Sequence, residues 1–222
     1  MDLLLFLIMS YALGSVSFAL LAGKLLRGID IREFGSGNVG ATNAGRVLGR
    51  KVGVGVFLLD VLKGFVPAFV FARACGSGED LLVRPGLLFG VAAILGHSFP
   101  FYLRFRGGKG VATSAGVLIA VAPLATGLAL ATWVVVIAVT RIVSVASIVA
   151  AIVLPCALAL MEWNDVRAGG SRDLVVVTAL LALLVIFRHR ANVRRLLQGV
   201  EPRIGSRGKT STQEREGGNR VG

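Results

Sequence analysis

Charge is scarce in this chain, and negative charge scarcest of all. Only 16% of the 222 residues are charged, with 12 Asp and Glu against 24 Lys and Arg. There are 2 cysteines and 2 histidines. Cys75 and Cys156 lack metal-ligand spacing and read as small buried hydrophobes. No cluster of carboxylates, histidines and cysteines stands ready for a metal, so neither a metal nor any other cofactor is expected. No G-x-S-x-G elbow offers a serine nucleophile. No stretch matches G-x-x-x-x-G-K-[ST], which argues against a Walker-type nucleotide loop.

Apolar residues take the place of charge. They make up 55% of the chain, and the mean hydropathy is +0.79. Residues 3–22, 111–140, 142–161 and 174–187 are free of charge. A helix needs about 20 mostly apolar residues to cross the hydrocarbon layer. The chain therefore reads as an all-α integral membrane protein. Its first apolar block has only Asp2 before it and no A-x-A site after it, so it reads as a retained helix rather than a cleaved signal.

Seven transmembrane helices are expected, over about 3–22, 51–73, 86–103, 110–122, 124–140, 142–161 and 174–188. The run 111–140 is divided at Pro123, because proline lacks an N–H and clashes with the preceding turn. Five spans is the alternative, if 111–140 is one element and another span is also lost. With seven, one face collects 19 Lys and Arg and the other 3. The basic face is then cytoplasmic, with the N-terminus outside and the C-terminus inside. The net charge of +12 is thus read as membrane sidedness and anion binding, with no nucleic-acid partner. Residues 1–204 form the membrane domain, and 205–222 (GSRGKTSTQEREGGNRVG) read as a disordered basic tail.

Three polar segments fall on the basic face. The first, GSGNVGATNAGR (35–46), contains G-x-G-x-x-G at Gly35, Gly37 and Gly40. That is a dinucleotide fingerprint only within a βαβ unit, and no such unit is present. Asp60, at the distance of a ribose ligand, instead lies in an apolar helix three residues from Lys63, where the two read as a paired intramembrane charge. Glycine still lets N–H groups converge on a phosphate, with Ser36, Asn38, Thr42 and Asn43 as neutral donors and Arg46 as a forked cation. The competing reading is a solvated, turn-rich linker.

The second segment, GHSFPFYLRFRGGKGVAT (96–113), places Lys109 among Gly107, Gly108 and Gly110 at a helix start, an anion cradle by geometry. His97 reads equally as a structural histidine. The third, HRANVRRLLQGVEPR (189–203), puts His189 and Asn192 on one helical face. A basic helix drawn to anionic lipid accounts for Arg188, Arg190 and Arg194, but not for Asn192 or Glu201.

Together with DVLKG (60–64), these strings resemble the bacterial acyl-phosphate:glycerol-3-phosphate acyltransferases, the PlsY family, from the first helix to about Arg203. One departure is Arg106, where that family often has lysine. The resemblance implies a multi-pass protein of the bacterial cytoplasmic (inner) membrane. It would move an acyl group from an acyl phosphate to the 1-hydroxyl of sn-glycerol 3-phosphate, giving lysophosphatidate and phosphate. An enzyme that makes acyl phosphate becomes an implied functional partner.

By the same resemblance, the acceptor phosphate is held by Ser36, Arg46, Lys109, His189 and Asn192, with Ser36, Arg46, His189 and Asn192 as the catalytic set. Gly37, Asn38, Gly40, Thr42, Asn43, Gly107, Gly108, Gly110 and Ser144 complete the substrate-binding walls. Glu201 is expected to be structural, paired with a nearby arginine. Neither histidine has an aspartate in the His-x4-Asp position used by other glycerolipid acyltransferases, since Tyr102 and Arg194 stand there. An acyl phosphate is already activated, so direct attack without an acyl-enzyme is expected. The hydroxyl proton goes to His189 or to a donor phosphate oxygen. A transporter of a phosphorylated solute is the rival, but it should place comparable polar segments on both faces.

Overall fold

The computed structural model describes residues 3–76, 83–163 and 172–205, and all regular structure among them is helical. The expected tail, save Gly205, and parts of the two loops on the less basic face lie outside the described residues.

The first apolar block is not one helix. It forms α1 (Leu3–Ser15) and α2 (Phe18–Arg27), bent by 43°. A break in apolar surroundings strands backbone groups that must find partners. Here Tyr102 donates its hydroxyl to Ser15 O at 2.6 Å and accepts from Ser17 N at 3.2 Å. Lys63 Nζ donates to Val16 O at 2.6 Å. Ser17 then caps α2 by accepting from Leu20 N.

The first polar segment is partly helical, with α3 (Ala41–Val47) starting inside it, so it is not wholly the turn-rich linker of the competing reading. α4 (Arg50–Val66) runs through a wide π-helical turn at Pro67–Phe71 into α5 (Ala72–Ala74). Pro67 has no N–H to give the regular ladder, which accounts for the widened turn. α6 (Val83–Ser98) leads through the second polar segment to α7 (Val111–Val121). Pro123 then starts α8 (Pro123–Thr140), with Ala122 at φ −147°, so the thirty-residue apolar run divides where proline predicts. α9 (Val143–Trp163), α10 (Arg172–Arg188) and α11 (Arg190–Leu197) complete the chain.

Among the described residues, four segments are long and apolar enough to cross a membrane: Arg50–Ala74, Pro85–Leu103, Pro123–Thr140 and Val143–Trp163. Counting the bent pairs α1–α2 and α10–α11 raises the number to six. The remaining expected helix, α7, has 11 residues, or about 16 Å at 1.5 Å each, well short of a hydrocarbon layer of about 30 Å.

Large apolar residues such as Val135, Leu160 and Leu183 face outward, while polar residues including Ser10, Asp60, Lys63 and Thr178 are buried. Small residues bring the helices close. A methyl group on Gly64 would overlap Thr113 O, and one on Gly116 would overlap Val61 O, so α4 and α7 meet backbone to backbone. Asp60 and Lys63 form the expected ion pair at 2.9 Å, both buried. The pair thus joins α4 to the α1–α2 break.

Candidate functional site

The segment 35–46 is organised by Asn43, which is 1% exposed. Its side-chain oxygen accepts from Ser36 N at 2.9 Å, and its amide donates to Ile31 O and Phe34 O. Asn43 is therefore committed to holding the loop, with both amide protons already used. Gly35 stands at φ +62°, and a side chain there would strike the Asn43 oxygen. Ser36, Gly37 and Thr42 are exposed, and Asn38 and Gly40 are half-buried. No hydrogen bond joins the 35–43 stretch to Lys109 or His189 among the described residues. Arg46, in the last turn of α3, does reach the rest of the site electrostatically. Desolvation lowers its pKa, Glu201 opposes the shift and Arg195 adds to it.

The glycine loop is closed by the protein itself. Gly107 N donates to Ser98 O at 3.1 Å and Gly108 N to His97 O at 3.0 Å. The carbonyls of both accept from the Arg188 guanidinium, at 2.7 Å each from Nη2. A methyl on Gly108 would overlap the His97 imidazole, so glycine is needed here for packing. His97 is buried, with Nδ1 3.8 Å from Asp60 Oδ1. The backbone N–H groups of Lys109 and Gly110 have no partner among the described residues. Gly110, at φ +82°, turns the chain into α7. Beside it lie the hydroxyls of Ser98 and Ser114, buried and without a hydrogen-bond partner among the described residues.

The third segment completes the cluster. Lys109 Nζ donates to Asn192 Oδ1. Asn192 Nδ2 donates to Glu201 Oε1 at 2.6 Å, and Ser144 Oγ donates to the same oxygen at 2.8 Å. Arg195 Nε donates to Glu201 Oε2 at 2.7 Å, the arginine pairing expected for Glu201. Ile204 N donates to Arg141 O at 2.7 Å and pins this stretch to the α8–α9 turn. Burial alone would raise the Glu201 pKa, but the donors Asn192, Arg195 and Ser144 outweigh it and hold the carboxyl below its ordinary value.

Lys109 is half-buried, and its pKa is lowered to about 8. Desolvation is the main cause; Glu201 opposes it, and Arg195, Arg46 and Arg188 add their repulsion. Thus Arg46, Arg188 and Arg195 all act on Lys109, and among the described residues Glu201 is the carboxylate that opposes them there. His189 sits just beyond α10 and is 2% exposed. Its Nδ1 lies 2.7 Å from Val185 O, which can only accept, so Nδ1 carries the proton and Nε2 is left basic. Burial first, and Lys109 second, lower its pKa to about 4, so the ring is neutral at pH 7.

From the loop a narrow apolar slot of about 80 Å³ descends between α7, α8, α9 and α10. Ser114 and Val185 line it near the polar end, Ala150 and Ala182 its walls, and Thr126 and Thr178 its depth. Trp133 Nε1 donates to Ser147 Oγ at 3.3 Å along this slot. Sequence reasoning missed both the slot and Arg188. The basic-helix reading puts Arg188 among lipid-attracted residues, whereas the structure turns it onto the glycine loop. Its position next to His189 is the only sequence signal for that role. Arg190 and Arg194 do remain exposed.

A family model described as glycerol-3-phosphate acyltransferase matches residues 4–199. A curated glycerol-3-phosphate acyltransferase of Chlorobium phaeobacteroides (strain DSM 266) is 41% identical, over 92% of this chain and 97% of its own. One from Chlorobaculum tepidum is 39% identical, over 89% and 94%. A solved structure of PlsY (YgiH), an integral membrane glycerol 3-phosphate acyltransferase in its glycerol 3-phosphate form, superposes with a TM-score of 0.80 at 41% identity, covering 91% of this chain and 96% of that one. Its lysophosphatidic acid form gives a TM-score of 0.77 at 40% identity, covering 91% and 95%.

Proposed function

Because the chain belongs to the glycerol-3-phosphate acyltransferase family, we propose that it acylates the 1-hydroxyl of sn-glycerol 3-phosphate using an acyl phosphate as donor. The products are 1-acylglycerol 3-phosphate and inorganic phosphate. The observation that carries this reading is the hydrogen-bonded cluster of Lys109, Asn192, Glu201, Ser144 and Arg195 beside the glycine loop, where Val111 and Ser114 begin the apolar slot. A cationic region suits two phosphates, and a slot leading into the membrane suits an acyl chain.

In this assignment Lys109, Arg46 and Ser36 hold the acceptor phosphate, with Lys109 held in place by Asn192. The free N–H groups of Lys109 and Gly110, with Ser114, receive the donor's polar end, and its chain runs down the slot. Gly37, Asn38, Gly40 and Thr42 form the outer wall. Asn43, Gly107, Gly108, Ser144 and Glu201 keep the walls in register.

The acceptor hydroxyl attacks the acyl carbonyl carbon. The new C–O ester bond forms as the acyl–phosphate C–O bond breaks. With a pKa of about 4, His189 is a weak base at pH 7. A departing phosphate oxygen, with an ordinary second pKa of about 6, is the better proton acceptor. His189 therefore accepts the hydroxyl's hydrogen bond through Nε2 in the bound complex and orients it, and as the ester bond forms that same hydrogen turns to the departing phosphate oxygen, which takes the proton. The backbone N–H groups of Lys109 and Gly110 offset the charge that develops on it.

Counting α7 as a half-span that enters and turns back at Pro123, seven helical segments leave the N-terminus outside and the C-terminus in the cytoplasm. The imbalance of 19 basic residues against 3 supports that orientation, and a multi-pass place in the bacterial inner membrane. Residues 1–204 act as one membrane domain. A cytoplasmic site would draw its donor from an enzyme that makes acyl phosphates.

The test supplies purified protein in detergent with labelled glycerol 3-phosphate and, in parallel, palmitoyl phosphate, palmitoyl-CoA or palmitoyl-carrier protein. Labelled lysophosphatidate is expected from palmitoyl phosphate alone. Product from the thioesters only overturns the donor assignment.

A further inference from the structure

Arg188 is the last residue of α10, one position before His189 and four before Asn192. Its guanidinium turns away from the lipid face. Nη2 donates to Gly107 O and Gly108 O at 2.7 Å, Nε donates to Gly108 O at 3.2 Å, and the group lies 5.2 Å from the centre of the Phe99 ring.

These bonds link two pieces of chain that contribute opposite ends of one contact. Lys109 follows Gly108 directly, and Asn192 lies one turn beyond Arg188. The N–H groups of Gly107 and Gly108 are already given to Ser98 O and His97 O, so the guanidinium closes the remaining side of the loop. A planar fork can bridge two adjacent carbonyls at fixed geometry, whereas an ammonium is a point donor. Glycine backbone has no side chain of its own to hold its conformation.

We propose that Arg188 is a positioning residue that staples the glycine loop to the end of α10 and so sets where Lys109 meets Asn192 and the acceptor phosphate. This rests on the assignment of Lys109 to the phosphate of glycerol 3-phosphate. Arg188 acts through Lys109 and does not itself bind the substrate.

The experiment compares Arg188→Met and Arg188→Lys with the wild type, each purified as a monodisperse full-length protein. Wild-type turnover tests the parent reading; only the variant-to-wild-type ratios test this inference. Arg188→Met is expected to raise KM for glycerol 3-phosphate at least tenfold while changing KM for palmitoyl phosphate less than threefold. Arg188→Lys should recover part of the loss. In a Lys109→Met background, adding Arg188→Met should weaken the measured Kd for glycerol 3-phosphate by less than twofold, because its effect passes through Lys109. If Arg188→Met does not fold, Arg188→Lys carries the test, with an expected rise in KM of at least threefold. An unchanged KM in the folded variant overturns the proposal. So does full additivity with Lys109→Met, which would make Arg188 a direct phosphate ligand.

Discussion

Lys109 and Asn192, 83 positions apart in sequence, meet in one hydrogen bond in which the ammonium donates to the amide oxygen. The other end of the same amide donates to Glu201. Asn192 is thus a relay between the Lys109 ammonium and the Glu201 carboxylate, and in the proposed assignment only the first meets substrate.

Removing that relay should free Lys109 without removing its charge. Asn192→Leu is expected to raise KM for glycerol 3-phosphate about tenfold, close to the roughly 1.5 kcal/mol of a charge-assisted hydrogen bond. Lys109→Met should cost more, about a hundredfold, since the charge itself is lost. Steady-state kinetics on both variants checks the order; equal effects would contradict it.

Acceptor use should fall at alkaline pH. With a pKa of about 8, Lys109 loses its charge earlier than an ordinary lysine at 10.5. The phosphate of the acceptor, with a second pKa of about 6, is fully ionised well below that point. Since kcat/KM reports the free enzyme, it should drop above pH 8 and approach about a tenfold loss per unit. Lys109→Arg, charged throughout, should remove this limb. A profile flat to pH 10 in the wild type would contradict the assignment.

The slot should set donor preference. Ala182, 7% exposed, lies in its wall. Ala182→Phe should raise KM for palmitoyl phosphate at least tenfold more than for butyryl phosphate, leaving KM for glycerol 3-phosphate unchanged. Equal loss with both donors would argue that the chain lies elsewhere.

The Asp60–Lys63 pair should matter as a unit. Lys63→Met leaves a buried carboxylate unpaired and strips Val16 O of its donor, with an expected cost of about 3–5 kcal/mol. Pairing it with Asp60→Leu should recover part of that loss, leaving the cost of the orphaned Val16 carbonyl. Thermal denaturation in detergent reads both. No recovery in the double variant would show that the pair's charges are not what makes the single change harmful.

Local chemistry made some of this legible in advance. Pro123 marks its own break, Asp60 and Lys63 announce a pair by spacing, and His189 and Asn192 share a face by helical period. The break at Val16 and Ser17 carries no such mark, because its partners, Lys63 and Tyr102, come from distant positions. The glycine loops are legible as loops, yet which of their N–H groups remain free depends on His97, Ser98 and Arg188. Asn43 and Asn192 are the same residue type in similar polar segments. Only their partners show that one braces a loop and the other steadies a lysine.

In the proposed reaction the acyl group passes in one step from the donor phosphate to the acceptor's 1-hydroxyl, with both substrates held by their phosphates in one cationic site. The most direct measurement incubates the protein with palmitoyl phosphate and labelled inorganic phosphate, with and without glycerol 3-phosphate. Direct transfer predicts lysophosphatidate when the acceptor is present, and no label entering palmitoyl phosphate when it is absent. Label exchange without acceptor, at a rate comparable to turnover, would reveal an acyl-enzyme and contradict the account.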